Sequence, residues 1–405
     1  MSVTTAELRS RFAAALSRMY GAEVPAYTTL VEVSTEVNAD FTGDDRFGSL
    51  HRVTAERHGA IRVGSARELA DVAGLFAAFG MHPVGFYDLR DAASPVPVVS
   101  TAFRPIDSEE LAVNPFRVFT SVLATADSRF FDPELRTRID RFLDDRQLFD
   151  PTLIATARTI ASAGECPAAE ADDFVARAVS SFTLSREPID ASWYRELSAV
   201  SAVAADIAGV RSTHVNHLTP RVLDIDELYR RMVARGITMT DTIQGPPRSD
   251  GPDVLLRQTS FRALAEPRRF RDAGGTVTDG TLRVRFGEVE SRGVALTRRG
   301  RERYDTAMNS EDPAACWAEY FPSSDTELAA AGLAYYHGGD PTRPVVYEDF
   351  LPISAAGIFR SNLDVADTSP TQSDDQSGYG ADWLAGAIDE HVHDPYDLYE
   401  KAAAS

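Results

Sequence analysis

Leu8, Phe12, Leu16 and Met19 recur at three- and four-residue intervals in a stretch rich in charge, which predicts helix from residue 5 to about 45, capped at Thr4 or Thr5. The pattern then shortens. A strand at Ala60–Val63 leads through Gly64 and Ser65 into a helix from Ala66 to about Phe79, closed by Gly80, and a second strand follows at Val84–Asp88. Ser65 and Glu68 stand at capping-box spacing, so this unit reads as β-α-β, with more strand at Val96–Phe103. Residues 115–210 carry helical periodicity in successive blocks such as "DPELRTRIDRFLDDRQLF" and "DPTLIATARTIASAG", and predict an all-helical insertion of four or five helices. Strand patterning returns at "VNHLTPRV", followed by a helix starting at Asp224 or Asp226, and by strands at 254–263, 281–290 and 292–297. Residues 243–253 read as a loop by their Pro and Gly content.

Two β-rich stretches thus flank a helical block. No sequence repeat relates them, so any symmetry between them is structural. The expected organisation is one α+β domain over 1–363: N-terminal helices (1–45), a first β-rich part (46–114), the insertion (115–210) and a second β-rich part (211–363). Residues 364–405 are acidic and poor in aliphatics, and are expected as a partly disordered tail with one short helix near Trp383–Ile388. No apolar run reaches membrane-spanning length, and the charged N-terminus lacks the pattern of a secretory leader, so the expected location is the cytoplasm.

With 61 acidic against 41 basic residues the formal net charge is −20, which removes any general attraction for nucleic acid or anionic membrane. An anionic substrate would have to be held by individually placed arginines. The two cysteines, Cys166 and Cys316, have neither disulfide-framework nor metal-finger spacing. The common nucleotide-binding, zincin and serine-hydrolase signatures are absent.

A different chemistry is open to the histidines. Two imidazoles and a carboxylate form the facial set that leaves positions free on a non-haem iron. In "RHGAIR", His58 and Arg62 share one strand face, about 13 Å apart when extended, so a ligand and a carboxylate-holding arginine can border one cavity. In "THVNHLTPR", His214 and His217 have opposite parity, and at most one enters a given cavity. Glu288 and Glu290 share a face, as do Gln258 and Ser260, which could hydrogen-bond a bound carboxylate. His391 and His393 read as a solvated terminal pair.

The segments "ERHGAIRVG", "FGMHPVGFYDL", "STAFRPID", "NPFRVFTSVL", "THVNHLTPRVLDID", "LLRQTSFRAL", "RFGEVESRGVALTRRGRERYD" and "YEDFLPISAAGIFRSNL", in this order, resemble the 2-oxoadipate dioxygenase/decarboxylase family, the 2-hydroxyglutarate synthases of lysine catabolism. The resemblance implies a cupped sheet of the vicinal-oxygen-chelate kind around one Fe(II). It implies His58, His214 (the leading histidine of its motif, with His217 as runner-up) and Glu288 (over Glu290) as ligands. It also implies Arg62 as the substrate-binding arginine and a substrate contact at the residue after Pro352, here Ile353. The implied reaction converts 2-oxoadipate and O₂ to 2-hydroxyglutarate and CO₂, the 2-oxo acid chelating iron while Arg62 holds carboxylate oxygen. A related oxygenase acting on another 2-oxo acid, or a non-catalytic metal- or acid-binding protein, would share the scaffold. Two imidazoles and a carboxylate would equally accept Mn, Co, Ni or Zn.

Overall fold

Pro25 divides the N-terminal periodicity into two helices, Thr5–Glu23 and Pro25–Asp40, the first capped by the Thr4 side chain on the Glu7 N–H. In the computed structural model, which describes residues 1–43, 46–92, 95–351 and 378–405, these helices pack on each other, and the second lies against the strands His217–Pro220 and Gly287–Arg292 that carry part of the site. Buried Arg9 fixes the first helix, donating to the Phe79 carbonyl at 2.8 Å and the Asn114 carbonyl at 3.0 Å.

Seven strands, in a five-stranded and a two-stranded sheet, build the surface that carries the site: β1 (Arg57–Val63), β2 (His82–Asp88), β3 (Val98–Arg104), β4 (Arg117–Leu123), β5 (His217–Pro220), β6 (Leu256–Phe261) and β7 (Gly287–Arg292). The first five run in the order β2-β3-β4-β1-β5, with β1 parallel to β4 and the other pairs antiparallel. β7 pairs antiparallel with β6 and continues the surface past β5, where the Val222 N–H reaches the Glu290 carbonyl at 2.8 Å and Arg221 bridges Glu290 in parallel sense.

The two halves repeat one topology. In the first, β1 is followed by the helix Ala66–Ala77 and then by β2, β3 and β4, with β4 returning beside β1. In the second, β5 is followed by the helix Ile225–Ala234, a bridged segment at Met239 that lies against β6, then β6 and β7, with β7 returning beside β5. The symmetry that the sequence does not display is therefore present in the chain path.

The capping box forms with a shift of one residue: Ser65 accepts from the Glu68 N–H, while the Glu68 carboxylate reaches the Gly64 N–H at 2.6 Å. The insertion is not wholly helical. It opens with β4, whose seven residues are all buried, and a strand buried on both faces shows no alternation to distinguish it from buried helix. Five helices follow, at 133–144, 151–163, 168–180, 191–200 and 202–208. The single strand expected at 281–290 is two. Val277–Leu282 closes an exposed hairpin with Glu266–Arg271, and β7 starts only at Gly287. Residues 292–297 hold isolated bridges at Val294 and Leu296 rather than a strand.

Within the expected tail, residues 378–405 pack on the body of the protein. Ala381–Ile388 and Pro395–Ala403 are helices that bury Leu384 and Tyr399. The acidic composition concealed this, because four or five apolar side chains suffice to dock two short helices. Cys166 and Cys316 are both free. Among the described residues no helix is long and apolar enough to cross a membrane.

Candidate metal centre

Strand register brings the candidate donors together. β1 and β5 pair so that His58 lies opposite Thr219 and Ala60 opposite His217, which puts both imidazoles on one face of the sheet. β6 and β7 pair Glu288 with Ser260 and Glu290 with Gln258, so all four share a face. Where the two halves meet, one ligand atom from each of His58, His217 and Glu288 lies within 4.8 Å of the others, all three residues being buried. His58 Nε2 is 3.5 Å and His217 Nδ1 is 3.6 Å from Glu288 Oε2. Among the described residues this is the sole cluster of three such donors.

His214 is not part of it. Its Nε2 lies 3.2 Å from Asp206 Oδ1, and its ring sits beside Asn216, ahead of the point where β5 begins. Pairing with β1 starts at the Asn216 N–H, which donates to the Ala60 carbonyl, so the inward parity falls on 217 and 219. The parity rule that admits one histidine holds; the histidine admitted is the second.

The other expected residues are distributed more widely. Arg62 follows His58 on the same face, but its Nη1 is 2.5 Å from Asp206 Oδ2, and it does not line the small cavity at the triad. Gln258 does line that cavity, together with Phe119, Phe350 and Leu351. Ser260 is buried opposite Glu288. Ile353 lies outside the described residues. His391 is exposed and His393 half-buried, its backbone bonded to β2 through Pro83 and Gly85, and neither approaches the triad.

Glu288 and Glu290, two residues apart, have opposite surroundings. Glu290 receives Arg292 bidentately at 2.7 and 2.9 Å and faces Arg117 at 3.4 Å. His58 Nδ1 is 3.1 Å from its Oε2, poorly aligned for a hydrogen bond but close enough for strong charge attraction. These cations hold Glu290 well below the usual carboxylate range despite complete burial, Arg292 and His58 contributing most. Among the described residues no arginine pairs with Glu288, and burial pushes its pKa up. Burial also drives His217 well below the usual imidazole value, with His58 and Arg62 adding to the effect. For His58 burial acts downward but is outweighed by Glu290 and Glu288, and the net shift is upward.

Beneath the triad lies an ionic network that sequence reasoning missed. Glu56 accepts from Arg117 and Arg221, each at 2.8 Å, and Glu348 from Arg52 at 3.0 Å and from Arg117. The available signal was one arginine, Arg117, set between Phe116 and Val118 at the start of a largely apolar strand run. Phe350, edge-on to His58 with centroids 5.0 Å apart, and Phe286, stacked on His217 at 5.1 Å, were also missed.

The network sets an acid limit on stability. Glu56, Glu290 and Asp206 are all depressed by paired cations, after burial opposes them. Such carboxylates stabilise the fold above their ordinary values of 4.5 and 3.8, and that contribution is lost as pH falls towards the folded-state values. His58 has the opposite sign, stabilising the metal-free fold below its ordinary 6.5 and losing that contribution as pH rises through its raised value. Urea midpoints are therefore expected to stay nearly level between about pH 7 and 5 and to drop below about pH 4. Midpoints that hold level below about pH 4 would contradict the ion-pair assignment.

Residues 12–362 match the 2-oxoadipate dioxygenase/decarboxylase family. A Mycobacterium tuberculosis protein named 2-oxoadipate dioxygenase/decarboxylase is 70% identical over 403 residues, covering 98% of this chain and 97% of its own. The crystal structure of the Pseudomonas putida hydroxyglutarate synthase in complex with 2-oxoadipate is 35% identical, with a TM-score of 0.83 over 99% of this chain and 96% of that one. A glyoxalase-superfamily protein from Ralstonia eutropha shares the fold at a TM-score of 0.55 and 20% identity, covering 72% of this chain and 84% of its own, in keeping with the vicinal-oxygen-chelate-like architecture and its repeated β-α-β-β-β halves. By family match, length and fold, the chain belongs to the 2-oxoadipate dioxygenase/decarboxylase family.

Proposed function

We propose that this protein is a non-haem Fe(II) enzyme that converts 2-oxoadipate and O₂ to 2-hydroxyglutarate and CO₂, with His58, His217 and Glu288 holding the metal. The observation that carries the reading is the convergence of two buried imidazoles and one buried carboxylate at the junction of the two halves. The donor set fits a divalent cation on its own terms. Glu288 is a buried carboxylate that no arginine among the described residues neutralises, and His217 is kept unprotonated, as a ligand must be.

Bound iron would supply oxygen activation and a template for the chelating 2-oxo acid. The chain's own groups do the rest. Thr219 lies 3.1 Å from His217 Nδ1 and 3.4 Å from Glu288 Oε2, and so orients two of the ligands. Phe119, Phe286 and Phe350 keep the surroundings of the triad apolar, which strengthens charge interactions inside and excludes water. The Gln258 amide is the polar group on the cavity wall suited to a substrate oxygen. The resemblance assigns a substrate carboxylate to Arg62, which shares the sheet face of His58 and is itself paired with Asp206. A role in lysine degradation accompanies this reading, as the resemblance implies, and a cytoplasmic location is proposed with it.

The test is anaerobic reconstitution with Fe(II), then oxygen uptake on addition of 2-oxoadipate, with CO₂ and 2-hydroxyglutarate assayed together. One-to-one-to-one stoichiometry is expected. Uptake with other 2-oxo acids but not with 2-oxoadipate would reassign the substrate; no uptake with any of them despite bound iron would overturn the enzymatic reading.

A further inference from the structure

The C-terminal helix Pro395–Ala403 follows the residues matched by the family model, 12–362, and packs on the segment that leads into the wall of the metal centre. Tyr399 is its buried residue, and the phenol has two partners on one short segment. Its oxygen accepts from the Glu348 N–H at 2.9 Å, and its hydroxyl donates to the Asp349 carboxylate. Arg104 grips the same carboxylate at 2.8 and 3.0 Å, and Arg292 donates to the Tyr347 and Asp349 carbonyls at 2.8 and 3.0 Å. The next residue is Phe350, whose ring stands perpendicular to the His58 imidazole and packs on Phe119 with centroids 5.1 Å apart. Phe350 also lines the cavity at the triad.

We infer that Tyr399 is a positioning residue, which acts through Glu348 and Asp349 to hold Phe350 against His58 and so keeps the metal cavity closed. The C-terminal helix is then part of the support of the centre rather than a peripheral tail. This rests on the triad holding a metal and not on which 2-oxo acid is turned over.

The experiment compares Tyr399→Phe with Tyr335→Phe in the full-length protein loaded with Co(II). Tyr335 packs against the Tyr399 ring and meets the same helix through Glu400, to which its hydroxyl donates. Both variants lose one hydroxyl near that helix. Transfer of Co(II) to a chelator is followed by absorbance, beside the thermal midpoint and turnover of the Fe(II) form. Tyr399→Phe is expected to release metal about tenfold faster, at the lower end of the range for partners that orient metal ligands, and to lower kcat more than it raises KM. Tyr335→Phe is expected to leave release unchanged. Equal release rates in the two variants, whatever their midpoints, would overturn the inference. Metal retained by the wild type without 2-oxoadipate turnover would count against the proposed reaction alone, because the release comparison still stands. A wild type that binds no metal would remove both.

Discussion

His217→Ala is expected to abolish metal binding and turnover, while His214→Ala retains one metal per chain. The first change removes one of three donors that face each other within 4.8 Å. Loss of a group that merely orients a ligand costs about 10–100-fold in affinity or activity, so loss of the ligand itself should exceed about 100-fold. The second change removes a side chain whose partners are Asp206 and Asn216. It leaves the Asp206–Arg62 pair with one fewer contact, so its effect should appear as weakened 2-oxoadipate binding at normal metal content. Metal analysis of the two purified variants decides the matter. Lost metal in His214→Ala with retained metal in His217→Ala would reverse the assignment.

The two glutamates of β7 are expected to give opposite outcomes when each is changed to glutamine. Glu290 is fully buried and is the bidentate partner of Arg292, with Arg117 and His58 also against it. Neutralising it leaves buried Arg292 without its bidentate carboxylate, and breaking a buried pair in this way typically costs about 3–5 kcal/mol, a large share of the roughly 5–15 kcal/mol that stabilises most folds. Glu288 has no arginine against it among the described residues, only His58 and Thr219, and its folded-state pKa is raised by burial. Glu288→Gln therefore removes an unfavourable buried charge, and the metal-free variant should be as stable as the wild type or more so, while metal binding is lost. Urea denaturation of the metal-free proteins separates the cases. Equal destabilisation by both substitutions would mean that Glu288 has a structural counter-ion of its own.

How far the sequence alone leads depends on whether local rules govern the feature. The helix after β1 could be read because Ser65, Glu68 and Gly80 are local signals, and the structure uses all three. β4 could not, because a run buried on both faces has no polar alternation. His58, Arg62 and the shared face of Glu288 and Glu290 follow from strand parity, which is a short-range property. The choice of His217 over His214 depends on where β5 starts to pair with β1, a relation between residues more than 150 positions apart. The ionic network of Glu56, Arg117, Arg221, Arg292 and Glu348 joins still more distant segments, and only its buried arginines leave a trace in the pattern. The C-terminal helices were hidden by their acidic exposed faces, although Leu384 and Tyr399 carry the docking.

We propose that iron sits between the two halves of the fold, held by one imidazole from each and a carboxylate of the second. Anomalous diffraction at the iron edge, from crystals grown anaerobically with Fe(II) and 2-oxoadipate, tests it most directly. A single strong peak is expected within bonding distance of His58, His217 and Glu288, with the 2-oxo acid chelating it. A peak beside His214 and Asp206, or none at the triad in fully loaded protein, would contradict it.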